Sequence, residues 1–390
     1  MPKFSAAPYS TTLALLGLTL AIATPPAHAA GTVGNGTIGS CTEASFDTAL
    51  GGGGTVNFNC GGPATITLTA TKSITVATTI SGGSAVTLDG GNAIRLFNVT
   101  GGGLTLDHIT LANGHDTVAN QGAAAIDASA NVTITDSTIS GHQSSNSGCP
   151  AISISAATLT ITRSTITGNV NTAPALGIPV CGNNTATLIV TSSTFTGNTG
   201  GGLWTSGTAT VTNSTIAGNS STGAGNSGGL VAFGDTAVMT LRNTIIANNI
   251  GTGQCAPVAG GTIADGGGNL QYPDAACGAG ITVANPLLGP LASNGGPTQT
   301  MALAVGSAAI DTAVPANCPA TDQRGQVPAD GDGNGSIICD IGAYEAPTFI
   351  PPLLPATPVP ALGASLLAAM ALLMAMLGGA LLRRRQRTGA

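Results

Sequence analysis

The chain has 390 residues, with 10 Lys or Arg, 16 Asp or Glu, 58 Gly, 22 Pro and 8 Cys. Between Ala30 and Glu345 lie five basic residues and all sixteen acids, so five minus sixteen gives this body a net charge of −11. Such a body repels nucleic acid and anionic lipid surfaces, which excludes nucleic-acid binding, and its sparse charge and many glycines suit short strands joined by tight turns.

Residues 1–29 read as a secretory signal peptide. Lys3 supplies the positive start, and residues 11–23 are apolar apart from their threonines, too short to span a bilayer. Pro25 and Pro26 break any helix, and Ala27-His28-Ala29 fits the small-x-small cleavage rule, so the mature chain is expected to begin near Ala30.

Residues 30–280 are predicted to form a single parallel β-helix in an all-β fold. Residues 42–50 are the one amphipathic helical stretch of the body, read as a cap over the open N-terminal end of the solenoid. A repeated phrase follows. It starts at Leu104, Val132, Leu159, Leu188, Ala209 and Met239, which are 28, 27, 29, 21 and 30 residues apart. The phrase alternates apolar and polar residues, with positions one, three and eight apolar almost throughout, as a strand with one buried face requires. Four copies end in Gly141-His142, Gly168-Asn169, Gly197-Asn198 or Gly218-Asn219. A period of 21–30 residues holding two or three short strands is one solenoid turn.

Eight cysteines in an exported chain argue for disulfides. Spacing alone leaves 105 connectivities open. Nearest-neighbour pairing is the simplest choice: Cys41–Cys60, Cys149–Cys181, Cys255–Cys277 and Cys318–Cys339. No pair has CxxC spacing, which argues against zinc and redox roles.

Three patterns are candidates for chemistry. Position five of the phrase reads His108, Asp136, Arg163, Ser192, Asn213 and Asn243, with Asp107 beside His108. His108, Asp136 and Arg163 would stack on one exposed ridge. A polysaccharide lyase needs a base and acids that hold calcium, and a glycosidase needs paired carboxylates. The structural alternative is an Asp136–Arg163 surface ion pair worth about 0–1 kcal/mol. The second pattern, Asp330-Gly-Asp332-Gly-Asn334-Gly-Ser336, has the alternating oxygens of a calcium loop. Position twelve is Ile341 rather than an acid, with Asp340 one residue early. The candidate Ca2+ ligands are therefore Asp330, Asp332, Asn334, Ser336 and Asp340, against a plain Gly/Asp-rich turn. The third pattern, the outward pairs Thr133/Thr135, Thr160/Thr162 and Thr210/Thr212, follows mostly from the β preference of threonine.

Several segments resemble known families. Cys41-Thr-Glu-Ala-Ser45, the turn to Cys60-Gly61, and Asn92-Ala-Ile-Arg-Leu-Phe97 resemble bacterial right-handed β-helix surface proteins. Phe195-Thr-Gly-Asn198 and Gly201-Gly-Leu203 are similar to the FxxN and GGxx repeats of polymorphic outer-membrane proteins. Residues 281–345 resemble the choice-of-anchor Q domain, on Asn285-Pro-Leu-Leu-Gly289, Asn294-Gly-Gly-Pro-Thr298, Gly306-Ser-Ala-Ala-Ile-Asp311, Thr321-Asp-Gln-Arg-Gly325 and Cys339-Asp-Ile-Gly-Ala-Tyr-Glu345. The resemblance implies a right-handed β-helix closed by this segment ahead of an anchor.

Residues 346–360 are a proline-rich spacer. Residues 361–382 are apolar, about 33 Å of helix at 1.5 Å per residue, enough for one transmembrane span. Arg383, Arg384, Arg385 and Arg387 in the basic tail, residues 383–390, place the C-terminus in the cytoplasm by the positive-inside rule. Pro358-Val-Pro-Ala-Leu362, this helix and the arginines resemble C-terminal sorting signals of the IPTL and PEP type, which implies a sorting protease or transpeptidase as a partner. The reading favoured by all of this is an exported, membrane-anchored cell-surface protein for adhesion or envelope structure without catalysis. The alternatives are a carbohydrate-active enzyme using the ridge and a passive module for an extracellular glycan.

Overall fold

The computed structural model describes residues 31–116, 122–145, 148–172, 178–183, 185–221, 227–350 and 363–387. The expected signal peptide and the Pro358–Leu362 motif lie outside the described residues.

The repeat folds into coils that stack as a parallel β-helix of about nine turns. One coil shows how. In Val132–Thr135, Val132 and Ile134 point inward and are buried, while the two threonines face outward. Asp136 turns the corner with φ 49°, Thr138–Ser140 forms the second side, and Gly141 turns again with φ 69°. Ile152–Ser155 forms the third side, and Thr158–Thr162 then pairs in parallel with Val132–Thr135 in the coil below. Repetition builds parallel sheets of ten, ten and eight strands. Each coil supplies its own crossover, which parallel strands need.

Positions one, three and eight of the phrase become three aliphatic columns in register. The first is Leu104, Val132, Leu159, Leu188, Ala209 and Met239. The second runs from Leu106 through Ile134 and Ile161 to Leu241. The third runs from Leu111 through Ile166 and Phe195 to Ile246. All are buried. A buried Leu or Ile side chain contributes about 1.5–3 kcal/mol, so the columns are the main attraction between coils.

A second, polar column runs inside the fold. Oδ1 of Asn169, Asn198, Asn219 and Asn249 each accepts the backbone N–H of the corresponding residue one coil earlier, at 3.0–3.1 Å. The Gly-Asn ending of the repeat is therefore a buried asparagine ladder. The glycine before each ladder residue has positive φ at 141, 168, 197 and 218. In the coils without this glycine, Asn113 and Asn248 take the same left-handed corner, which Asn tolerates better than most residues.

The helix Glu43–Leu50 is N-capped by Thr42, whose side chain accepts from Ser45 N in a capping box. Its buried Phe46 and Ala49 lie on the side of the first two strands, Gly31–Val33 and Gly54–Phe58. The cysteines are bonded as nearest neighbours: Cys41–Cys60, Cys149–Cys181, Cys255–Cys277 and Cys318–Cys339, with Cα separations of 5.6, 6.1, 4.8 and 5.8 Å.

After the hairpin Leu288–Ala292/Thr300–Leu303, the chain returns along the outside of the second sheet. Gln323 Nε2 donates to Thr165 Oγ1, Thr194 Oγ1 donates to Gln323 Oε1, and Ala343 N donates to Thr215 Oγ1. Ala309, Ile310, Ile341 and Ala346 pack with Ala217, Ile245 and Leu270 in a second apolar cluster. The expectation of one buried face per strand is corrected here. Thr165, Thr194, Thr215 and Ile245 point outward from the solenoid yet are buried under residues 298–346.

The segment from Phe349 onward is a separate unit. Its described helix is Ala364–Arg387, with an apolar stretch Ala364–Arg384 of mean hydropathy 2.2, long enough to cross a membrane.

Candidate functional site

The position-five column is the corner between the first and second sheets. His108, Asp136, Arg163, Ser192, Asn213 and Asn243 all have φ between 42° and 49°. A side chain in this left-handed region is strained, and Asn, Asp and His tolerate it better than most. The polar run in this column therefore has a backbone cause that needs no chemistry.

The corner does bring three of the predicted residues together. Arg163 Nε donates to Asp136 Oδ1 at 2.8 Å, and its Nη2 donates to Oδ2. His108 Nε2 lies 3.7 Å from Asp136 Oδ2, and its Nδ1 lies 2.9 Å from Asp107 Oδ1. The continuous exposed ridge is corrected. The His108 and Arg163 side chains are 38% and 33% exposed, but that of Asp136 is 6% exposed. Ser192, Asn213 and Asn243 are buried, the last two bonded to residues 314–340. The hydrogen bonds from Arg163 to Asp136 hold its guanidinium above the usual arginine range against the opposing effect of burial. That arrangement disfavours Arg163 as a catalytic base. Asp127 sits in the eight-stranded sheet and pairs with Arg95 Nη1 at 3.3 Å. It does not join Asp107 and Asp136 in their cluster.

The calcium-loop residues are divided by the fold. A carboxylate oxygen from each of Asp311, Asp330 and Asp332 lies within 4.8 Å of the others, and Asp311, Asp340 and Glu345 form a second such triad. Asp340 thus belongs to a buried inner group, not to the loop of Asp330 and Asp332. Within the loop, Asp330 accepts from Gly333 N and Gly335 N, and Asp332 from Asn334 N and Nδ2. Asn334 Oδ1 accepts from Ser336 N. The bonds from Asn334 N to Asp332 and from Ser336 N to Asn334 are those of tight Asx turns. Sequence reading missed Asp311 and Glu345 as partners, because both arrive by long-range return of the chain. Burial, reinforced by the neighbouring acids, raises Asp340 to about 7 and Glu345 to about 8, and raises Asp311 as well.

Two clefts lie in this C-terminal part. One of about 280 Å³ is lined by Asp265, Asn269, Thr312 and Ile341 among others, and one of about 470 Å³ by Asn294, Arg324, Gln326 and Glu345 among others. His108, Asp136 and Arg163 line neither.

No curated protein and no solved structure matches the chain. Residues 55–221 match the family model of the right handed beta helix region, which gives the parallel solenoid its right hand.

Proposed function

We propose that this protein is exported and held at the cell surface by its C-terminal helix, where the β-helix serves adhesion or envelope structure without catalysis. The observation that carries this reading is one pairing within the chain. A solenoid body holds four disulfides, the mark of an oxidising compartment, and an apolar helix long enough to span a membrane runs into an arginine cluster. On this reading residues 1–29 direct export, and Glu43–Leu50 caps the first coil. Residues 281–345 are the choice-of-anchor Q-like closing segment. Pro358–Leu362, the helix and the arginines form a sorting signal for a protease or transpeptidase. The FxxN and GGxx copies support a kinship of the solenoid with surface proteins that carry polymorphic outer-membrane repeats.

The test is surface protease shaving and fractionation of cells making the full chain or a version ending at Thr348, the last residue of the folded body. Shaving of the full chain, with release of the shortened one to the medium, is the expected result. Both forms soluble in the periplasm would overturn the anchor.

One observation favours a second reading. Asp136 lies between the partly exposed side chains of Arg163 and His108, an arrangement suited to an acidic polysaccharide. Release of unsaturated product with calcium, lost in Asp136→Ala, would establish an enzyme. Retention on a polysaccharide column without product, surviving loss of all three residues, would establish a passive glycan-binding module.

A further inference from the structure

The return of the C-terminal segment gathers four acids around Asp311. Asp311 is common to both triads, the buried one with Asp340 and Glu345 and the open one with Asp330 and Asp332. None of these five acids takes part in an ion pair among the described residues; the nearby Arg324 pairs with Asp322. Every other carboxylate oxygen of the five accepts an N–H. Oδ1 of Asp311 is buried and has no partner, in a residue only 7% exposed.

We propose that this cluster is a site for one calcium ion, ligated by Asp311, Asp330 and Asp332, with Asp340 and Glu345 behind it. Two properties of the site call for a cation. Converging carboxylates without an ion-pair partner are costly when charged, and so is an orphaned buried oxygen. Protons would reduce the charge, but a proton on Asp311 Oδ1 would itself need an acceptor. A hard divalent cation meets both needs. The donors are all carboxylates, which suits calcium and disfavours metals that prefer nitrogen or sulfur. The exposed Asp332 leaves the open triad accessible.

The ion joins the loop at Asp330 and Asp332 to Asp311, inside the segment that is bonded to Asn213, Thr215 and Asn243. Calcium therefore ties the closing segment to itself, in the part that is already bonded to the solenoid. This differs from the contiguous loop read from the sequence, since the central ligand, Asp311, lies outside it.

The experiment uses the full chain, purified in detergent and stripped with a chelator, then titrated with calcium chloride by calorimetry and followed by thermal unfolding. One equivalent bound with a raised unfolding temperature is expected, and binding at least ten-fold weaker in Asp332→Asn. Asp332 is exposed, so this variant tests the ligand without endangering folding; Asp311→Asn is the stricter second variant. Asp107→Asn, in the separate His108 cluster, is expected to bind like the parent. No heat and no thermal shift up to millimolar calcium would overturn the site, as would loss of binding in Asp107→Asn with retention in Asp332→Asn.

Discussion

Asn198 Oδ1 accepts two hydrogen bonds from Asn169 in the preceding coil, one from its backbone N–H at 3.1 Å and one from its Nδ2 at 2.9 Å. Asn198 passes the pattern on, donating its own N–H and Nδ2 to Asn219. Both residues are buried, so water cannot replace a missing rung. Asn198→Leu removes the acceptor for two donors and fills polar space with an apolar side chain. Each orphaned buried donor costs about 1–3 kcal/mol. A loss of about 2–5 kcal/mol in urea unfolding is expected; a loss below about 0.5 kcal/mol would mean the ladder is not part of what holds the coils.

The two faces of Thr158–Thr162 make an internal comparison. Ile161 is buried in the second aliphatic column, while Thr160 alternates to the outer face of the same strand. Ile161→Ala is expected to cost about 2–5 kcal/mol through lost transfer energy and the cavity left behind. Thr160→Ala is expected to stay within about 0.5 kcal/mol. Equal effects would contradict the assigned register.

The columns were legible in the sequence, and the sites were not, for one physical reason. Alternation and repeat length are local, so Val132, Ile134 and Ile139 disclose their inward positions without any knowledge of the neighbouring coils. The cover over Thr165 and Thr194 comes from Gln323, more than a hundred residues later, and leaves no mark on the local pattern. Asp311 joins Asp330 and Asp340 through the same return. Position five misled in the other direction. His108, Asp136 and Arg163 read as a chemical column, yet the shared trait of all six members is left-handed backbone. The Gly-Asn endings were visible as a motif, but only the coil stacking gives the asparagine its partner.

Left-handed backbone makes a prediction at Ala156, an exposed non-glycine residue with φ 53°. The methyl group makes no buried contact that would offset a left-handed penalty of about 1–2 kcal/mol. Glycine has no such penalty but gains freedom in the unfolded chain, which returns part of the gain. Ala156→Gly is expected to stabilise the fold by about 0.5–1 kcal/mol, read as a raised urea midpoint with an unchanged slope. A lowered midpoint would show that the corner is not strained.

His142 occupies an asparagine position of the ladder and makes it sensitive to acid. Its Nδ1 accepts from Gly114 N at 2.8 Å, and its Nε2 lies 3.1 Å from the Leu111 carbonyl, so Nε2 carries the proton and the ring is neutral. Protonating Nδ1 would set two N–H groups against each other in a buried site. Burial lowers its pKa from 6.5 to about 4, against weaker raising effects of the Leu111 carbonyl and Asp89. Between those values the unfolded chain binds the proton and the folded chain does not. The stabilisation is thus complete above pH 6.5 and is lost as the pH falls toward 4, on the order of 3 kcal/mol in all. His142→Asn restores the side chain used at 169, 198 and 219, which does not titrate. Urea unfolding at pH 7 and pH 4.5 is expected to show a smaller difference for His142→Asn than for the parent. Equal pH dependence in the two would mean that the buried imidazole is not the acid-sensitive group.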